Sequence, residues 1–495
     1  MKRLNVVLCV LPVLAAGCMV GPDYQRPDAP VPPGFKENIG WKPGQPRDEI
    51  DKGAWWSVYN DPELDRLERM VDVSNQTVKQ FEAQYRNAVA LVGEARASLF
   101  PTATATAGVT RSHGGGGGGG FASTGGGGGG IGGGGGRATS TIYTLSGNAT
   151  WDLDVWGRVR RQIESNVAEA QVSAGDLANA KLSAQATLAT DYFDLRAEDS
   201  LERLLRETVA AYQRALDIVQ NQYRAGTMSS SDVVTAQAQL ESAKAQLVGV
   251  GVQRQQYEHA IAMLTGHAPS ELTLPPAPLT SNVPVVPAGL PSDLLERRPD
   301  VAAAERQMQQ ENALIGVQVA AYYPDISLSA LGEFTGSPLG AIFNASNRVW
   351  SLGASAAETL YSGGQRPAAV RAAKATYDQY VAVYRQTVLT AFQQVEDALS
   401  NLRILERQAA AEAIAVNATR KAVEVELNAY RAGTVAYTSV ITEQTLLLGN
   451  QQTALSIQQS RLVASVALIE ALGGGWSASQ LPKRAPIIDA NPVFP

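Results

Sequence analysis

The chain is poor in the residues that usually carry chemistry. Two cysteines and three histidines occur in 495 residues, and His113, His259 and His267 fall at no ligand-like spacing. A metal centre or a Ser-His-Asp constellation needs convergent imidazole and carboxylate groups, so neither is expected, and with them goes the expectation of an enzyme or a cofactor. His259 and His267 are expected on a helix surface and at a helix end. Charge of one sign is also scarce: 41 Lys and Arg against 47 Asp and Glu give a net charge of -6. That leaves no basic footprint for nucleic acid. Aromatics make up 6% of the chain, and its 45% hydrophobic content is rich in alanine. Past the first residues no run of about 18 apolar residues exists, so no transmembrane helix is available. Any membrane crossing must use strands, the other structure that satisfies its own backbone in lipid.

What is present begins with an export signal. Met1-Lys2-Arg3 supplies positive charge, Leu4 to Leu14 is apolar, and Ala15-Ala16-Gly17 ends in small residues ahead of Cys18. This is the arrangement of a bacterial lipoprotein cleavage site, with Ala15 where leucine is usual and Leu14 one position further out. Residues 1–17 are expected to be removed and Cys18 to take the lipid; cleavage nearby without lipid is the alternative. Cys9 lies in the discarded segment, so no disulfide can form in the mature chain.

The chain repeats itself. Tyr223-Arg224-Ala225-Gly226-Thr227 returns as Tyr430-Arg431-Ala432-Gly433-Thr434 at an offset of 207, which also carries Gly157 onto Gly364, Leu240 onto Leu447 and Arg254 onto Arg461. Upstream, Gly93 to Pro101 pairs with Gly316 to Pro324 at an offset of 223, because the first copy carries an insertion. Two copies of one structural unit are therefore expected. The insertion holds glycine runs at 114–120, 125–130 and 132–136. Glycine at this density buries too little surface to offset its ordering entropy, so residues 112–137 read as a loop, and no Lys-Ser or Lys-Thr follows to make it a phosphate cradle.

Four segments alternate with period two. Thr141 to Leu153 sets Tyr143, Leu145, Gly147, Ala149, Trp151 and Leu153 against Thr144, Ser146, Asn148, Thr150 and Asp152. The same pattern runs through Thr102 to Thr110, Pro324 to Phe334 and Val349 to Tyr361. Each has the length a tilted strand needs to span a bilayer. A half-buried sheet in a soluble domain alternates likewise, but these polar faces are small and mostly uncharged, as in a wet lumen. Four strands cannot close on themselves, since the smallest barrels use about eight. Several chains must share one barrel.

From Arg158 to Arg224, and again from Arg366 to Arg431 beyond Pro367, proline is absent. Each stretch could reach roughly 100 Å as a helix. Leu201, Leu205, Val209, Tyr212, Leu216, Val219 and Tyr223 recur as a narrow stripe, matched on a returning arm by Val233, Ala236, Leu240, Ala243, Leu247 and Val250. That is coiled-coil periodicity. Gly226 and Gly433 fall where each hairpin turns. Ser229, Ser230 or Ser231, and in the second copy Thr438 or Ser439, are the expected caps of the returning helices.

Together, Cys18 to Tyr24, Trp55-Trp56 ahead of Asp61-Pro62-Glu63-Leu64, Arg297-Arg298-Pro299-Asp300, Tyr361 to Gly364, both Tyr-Arg-Ala-Gly-Thr tips and Ala471 to Trp476 resemble the TolC-like outer-membrane efflux family, most closely its lipoprotein branch of the OprM and NodT type. The resemblance spans nearly the whole mature chain. It implies a homotrimer with a twelve-stranded outer-membrane β-barrel, four strands from each chain, continuous with a long α-helical coiled-coil barrel across the periplasm. Arithmetic alone would also permit a dimer. It further implies docking of a periplasmic membrane-fusion adaptor at the tips, through Arg224, Gly226, Thr227, Arg431, Gly433 and Thr434, and through the adaptor an inner-membrane RND-type pump. The tips would close the duct, with Tyr430 reaching Asp232 as a latch. The position where the family places an aspartate ring reads Thr442, with Glu443 beside it.

The expected organisation is a signal peptide (1–17), a lipid-anchored extended segment (18–61), and a first repeat (62–290) of helix, strands 101–111 and 138–154, helical hairpin 157–266 and linker. A second repeat (291–475) holds a helix, strands 324–335 and 348–361 and hairpin 364–472; a tail covers 476–495. The expected function is the outer-membrane exit duct of a tripartite efflux system. Export of a polypeptide by a type I secretion system, or a non-channel periplasmic coiled-coil lipoprotein, are the competing readings.

Overall fold

The computed structural model describes residues 19–37, 54–113, 139–284 and 294–489. The signal peptide, Cys18 and the glycine runs lie outside the described residues. Four strands, β1 (Thr102–His113), β2 (Thr139–Leu153), β3 (Asp325–Gly336) and β4 (Arg348–Ala357), form one antiparallel sheet in the order β1-β2-β3-β4. The register pairs Ala107 with Leu145, Leu145 with Phe334, Trp151 with Leu328, and Leu328 with Ala354. Directly opposed residues share a face, so most apolar side chains of the alternating pattern land on one side of the sheet. Thr104, Ser146, Asn148, Ser329 and Ser355 occupy the other. Packing covers neither: Trp350 is 67% exposed and Leu352 75%. Strand β4 ends at Ala357, short of the expected 361. Its last partner is Asp325, and the preceding Pro324 has no N–H to extend the ladder.

Helices supply the rest. Helix α1 (Pro62–Ser74) begins where Asp61 accepts from the Glu63 and Leu64 amides and Pro62 takes the first turn. Leu64, Leu67 and Val71, spaced by three and four, are fully buried, each worth roughly 1.5–3 kcal/mol of apolar transfer. The single helix expected here is split at Asn75. Its backbone closes α1, while its side chain caps α2 (Gln76–Ala97) and donates to the Leu264 carbonyl at 2.8 Å.

Two long helices, α3 (Arg158–Arg224) and α7 (Gln365–Arg431), have 67 residues each, and their returning partners α4 (Ser230–Leu264) and α8 (Tyr437–Ala471) have 35 each. At 1.5 Å per residue the long arms run about 100 Å and the returns about half that. Near the strands α3 packs instead on α2 and on α6 (Pro299–Ala320), which follows the one-turn α5 (Leu294–Arg297) and also contacts α7. The start of α3 is capped by Asp154, whose carboxylate accepts from the amides of Val159 and Arg160 at 2.9 and 3.0 Å.

The two hairpins meet their own upper helices in the same way. Gly266, just past α4, lies against the Ser74 carbonyl, and Gly473, just past α8, against that of Arg297. These contacts are related by the sequence offsets of 207 and 223. The cap of α8 corrects the expectation: the helix starts at Tyr437 from Ala436, with no side-chain cap, whereas Ser229 caps α4. Offset 207 places Ala436 where the first copy has Ser229, and the cap is lost with the hydroxyl. Of the expected tail, residues 476–489 are among those described. Helix α9 (Arg484–Asp489) buries Ile487 against Val92 and Ile163.

Candidate channel site

At the far end of the hairpins the chain turns twice in the same way. The amide of Thr227 donates to Gln222 and that of Gly226 to Tyr223; Thr434 donates to Ala429 and Gly433 to Tyr430. Gly226 and Gly433 take φ of +74° and +73°, so each helix ends in a Schellman turn that a residue with Cβ would strain. Both threonine hydroxyls repeat the amide bond, at 2.9 Å. Arg224, Gly226, Thr227, Arg431, Gly433 and Thr434 are all exposed. They form two similar, outward-facing knuckles.

Behind the knuckles the hairpins join. Tyr212, Leu216 and Val219 of α3, Ala236 and Leu240 of α4, Tyr430 of α7, and Tyr437 and Val440 of α8 make one buried cluster. The rings of Tyr430 and Tyr437 lie 5.1 Å apart. Tyr430 is 1% exposed, and among the described residues its hydroxyl has no hydrogen-bond partner. The expected bond to Asp232 is thus not made within this chain, because the ring is held in the apolar cluster. Burial, and then the charge of Asp232, raises the Tyr430 pKa, which places the two groups near one another without a bond. Thr442 is exposed and bonds the Thr438 carbonyl, while Glu443 is half-buried.

Higher on α3, Asp191, Asp194 and Glu198 share one face, opposite Tyr257 of α4 and Gln459 of α8, which donates to Asp194 at 2.8 Å. Desolvation, then the neighbouring Asp194, pushes Asp191 up to about 6, and burial raises Asp194 and Glu198 too. A carboxyl group raised in the fold binds its proton more tightly than in the unfolded chain. Its contribution is therefore full below the ordinary value near 3.8 and lost as pH rises through about 6. Asp191→Asn is expected to raise the thermal midpoint at pH 7.5 by about 1 °C and to leave it unchanged near pH 4. Scanning calorimetry at both pH values checks this; a pH-independent difference would remove the cause given.

At the other end, just below the strands, the N-terminal segment is pinned. Arg161, 1% exposed, donates to the carbonyls of Val20 and Gly21 at 3.2 and 3.3 Å and to Asp23 at 2.9 Å. The Val20 amide donates to Trp156 and Asn312 to Pro22. Farther on, the amides of Lys36 and Glu37 donate to the Glu396 carboxylate of α7, at 2.6 and 2.9 Å, and Phe35 is buried. The segment from Met19 to Glu37 is a strap along the helices. Arg161 was not among the expected site residues. An arginine after Gly157 in the first copy faces Ala368 in the second, and that asymmetry was its only sequence signal.

The motifs quoted for the resemblance serve structure. Trp56 donates to Asp65, Tyr192 donates to Asp61, and Arg298, a pair with Asp300, donates to the last carbonyl of α8 at 2.9 Å. His259 is exposed on α4, and His267 follows its end. Among the described residues no cluster of His, Cys, Asp or Glu could hold a metal, and no helix is long and apolar enough to cross a membrane.

Comparison with known proteins agrees with this geometry. A family model described as outer membrane efflux protein matches residues 69–267 and 290–474. The chain is 28% identical over 492 residues to the probable efflux pump outer membrane protein TtgC of Pseudomonas putida, covering 96% of each chain. It is 29% identical over 509 residues to nodulation protein T of Rhizobium leguminosarum bv. viciae, covering 99% of this chain and 98% of that one. The outer-membrane channel OprN superposes with a TM-score of 0.83 at 28% identity, over 93% of this chain and all of the other.

Proposed function

The chain belongs to the outer membrane efflux protein family, and from that footing we propose that three copies assemble into the exit duct of a tripartite efflux system. The carrying observation is the sheet. Most of its apolar side chains project from one exposed face, with Ile142, Leu331 and Val349 the larger exceptions, and its edge strands β1 and β4 have no partner within the described chain. Lipid cannot satisfy such edges, so β4 of one copy pairs with β1 of the next until twelve strands close. The polar face then lines a water-filled lumen. A non-channel lipoprotein with coiled-coil arms has no use for an exposed apolar sheet.

The helices carry the lumen into the periplasm, where the knuckles at Arg224 to Thr227 and Arg431 to Thr434 meet an adaptor protein, and through it an inner-membrane RND-type pump. Asp232, Tyr430, Thr442 and Glu443 surround the closing aperture. The duct itself does no chemistry, and the pump supplies the energy. Lipidation of Cys18 fits the strap, because Val20, two residues further on, is held at Trp156, three residues beyond β2. Purified protein in a planar bilayer is expected to give discrete, ohmic conductance steps of a wide pore. Absence of conductance from a folded, detergent-solubilised assembly would overturn the reading.

A further inference from the structure

The lipid-facing side of the sheet is not uniformly apolar. Following the register outward from the helices, Ala103, Ala105, Ala107 and Val109 of β1 lead to Arg111 and His113, and on β4 the same face ends in Trp350 and Arg348. Between them, β2 and β3 present Thr141, Tyr143 and Phe334. Among the described residues, Arg111 and Arg348 are the two arginines on this face, and it carries no acid; Asp152, Asp325 and Glu333 fall on the opposite face. Both arginines are exposed, and among the described residues no hydrogen bond or ion pair engages either guanidinium group.

A guanidinium on a lipid-facing strand is expensive at the bilayer centre and tolerable only at its edge, where anionic groups are found. These two sit at the strand ends remote from the helices. From Tyr143 to Trp151, about 26 Å of β2 at roughly 3.3 Å per residue separates the outer aromatics from the inner ones, enough for one tilted crossing. Trp151 marks the inner end, with its indole N–H on the Leu99 carbonyl at 3.0 Å, and Trp156 stacks on Tyr323 close by. By register Arg111 lies level with Thr141, beyond Tyr143, and Arg348 level with Phe334 and Leu145. Both therefore stand in the outer half of the crossing, from where a long side chain reaches the outer-leaflet headgroups.

They also lie on the two edge strands. In the barrel of the preceding section, on which this step rests, each seam sets β4 of one copy against β1 of the next. We propose that each seam, with Arg348 from one copy and Arg111 from its neighbour, is a binding site for an acylated lipid whose sugar headgroup carries phosphate, the chemistry of lipid A in the outer leaflet. The planar guanidinium accepts phosphate oxygens in pairs, the aromatics of the rim and Leu352 take the acyl chains, and the seam is complete only in the assembly. The lipid would brace the one joint in the barrel that no covalent connection spans.

The test uses the purified assembly and native mass spectrometry with titrated lipid. Bisphosphorylated lipid A is expected to bind with up to three copies per assembly, and R111Q/R348Q to weaken that binding about tenfold or more, with each single variant intermediate. Dephosphorylated lipid A, phosphatidylethanolamine and inorganic pyrophosphate, run as separate arms, are expected to bind far less. Equal binding by wild type and double variant overturns the site. So does pyrophosphate binding as tightly as lipid A, which would make it a site for a soluble anion, or dephosphorylated lipid binding as tightly, which would make it an apolar surface alone. Conductance is recorded on the same samples. If it persists while lipid binding is indifferent to the substitutions, the seam site fails and the duct stands; if wild type does not conduct, the duct itself has failed.

Discussion

Gly473→Ala is expected to remove the protein from the outer membrane almost completely. The residue takes φ of +91°, and a Cβ there would stand 2.0 Å from the backbone oxygen of Arg297. Neither atom has a flexible side chain to yield. The left-handed conformation and the clash together should cost at least about 3 kcal/mol. Gly266→Ala repeats the experiment in the first copy, with φ of +75° and the Ser74 oxygen at 2.3 Å. Gly249 and Gly251, inside α4, meet nothing within 4 Å. Substitution to alanine there should be neutral or stabilise by about 0.5–1 kcal/mol, through lower entropy in the unfolded chain. Immunoblots of outer-membrane fractions and thermal unfolding of purified protein separate the two pairs. Wild-type stability in Gly473→Ala would mean that the end of α8 does not pack on α5 as described.

Asp199→Ala is the second large loss expected, about 3–5 kcal/mol. The Asp199 side chain is 1% exposed and accepts from Arg196 at 2.9 Å, from Arg254 at 2.7 Å and from the Ala277 amide at 3.0 Å. Arg254 also reaches the Leu274 carbonyl and Arg196 that of Pro275, so the group staples the segment after α4 onto the hairpin. Removing the carboxylate leaves two guanidinium groups facing each other with little water. Combining Asp199→Ala with Arg254→Met should recover part of the loss, because the repulsion between the two guanidinium groups goes with it, although Glu258, which also pairs with Arg254 at 2.8 Å, then loses that partner. A double-mutant cycle on thermal unfolding measures the coupling, and strictly additive losses would show that the three groups do not act together.

The parts of the fold that follow a period were open to reading from the chain. Alternation at Tyr143 to Leu153 named the face of each residue, and the offset between Tyr223 and Tyr430 announced two hairpins of one length. Local rules failed where a distant residue decides. Thr359 and Leu360 keep the phase beyond Ala357 although Glu358 interrupts it, but the partner strand stops at Pro324. Thr438 looked like a cap, but α8 begins at Tyr437 and buries that ring instead. Asn75 breaks a helix because its amide finds Leu264, far along the chain. The same holds at the site. The knuckles were legible because glycine and threonine mark a turn by themselves. The clamp at Arg161 and the staple at Asp199 join segments remote in sequence, and an arginine in an alanine-rich helix does not state its partner.

In the proposed duct, the shared cluster under the knuckles would limit how the mouth can widen. Tyr212, Tyr430 and Tyr437 knit all four helix ends of a single chain into one apolar block. Sliding one hairpin past the other would expose those rings to water, at a cost of several side-chain burials. A chain's paired ends should therefore swing outward together, as a single petal. The parting line during dilation then runs between neighbouring chains, and the resistance to opening is set by whatever holds petal to petal.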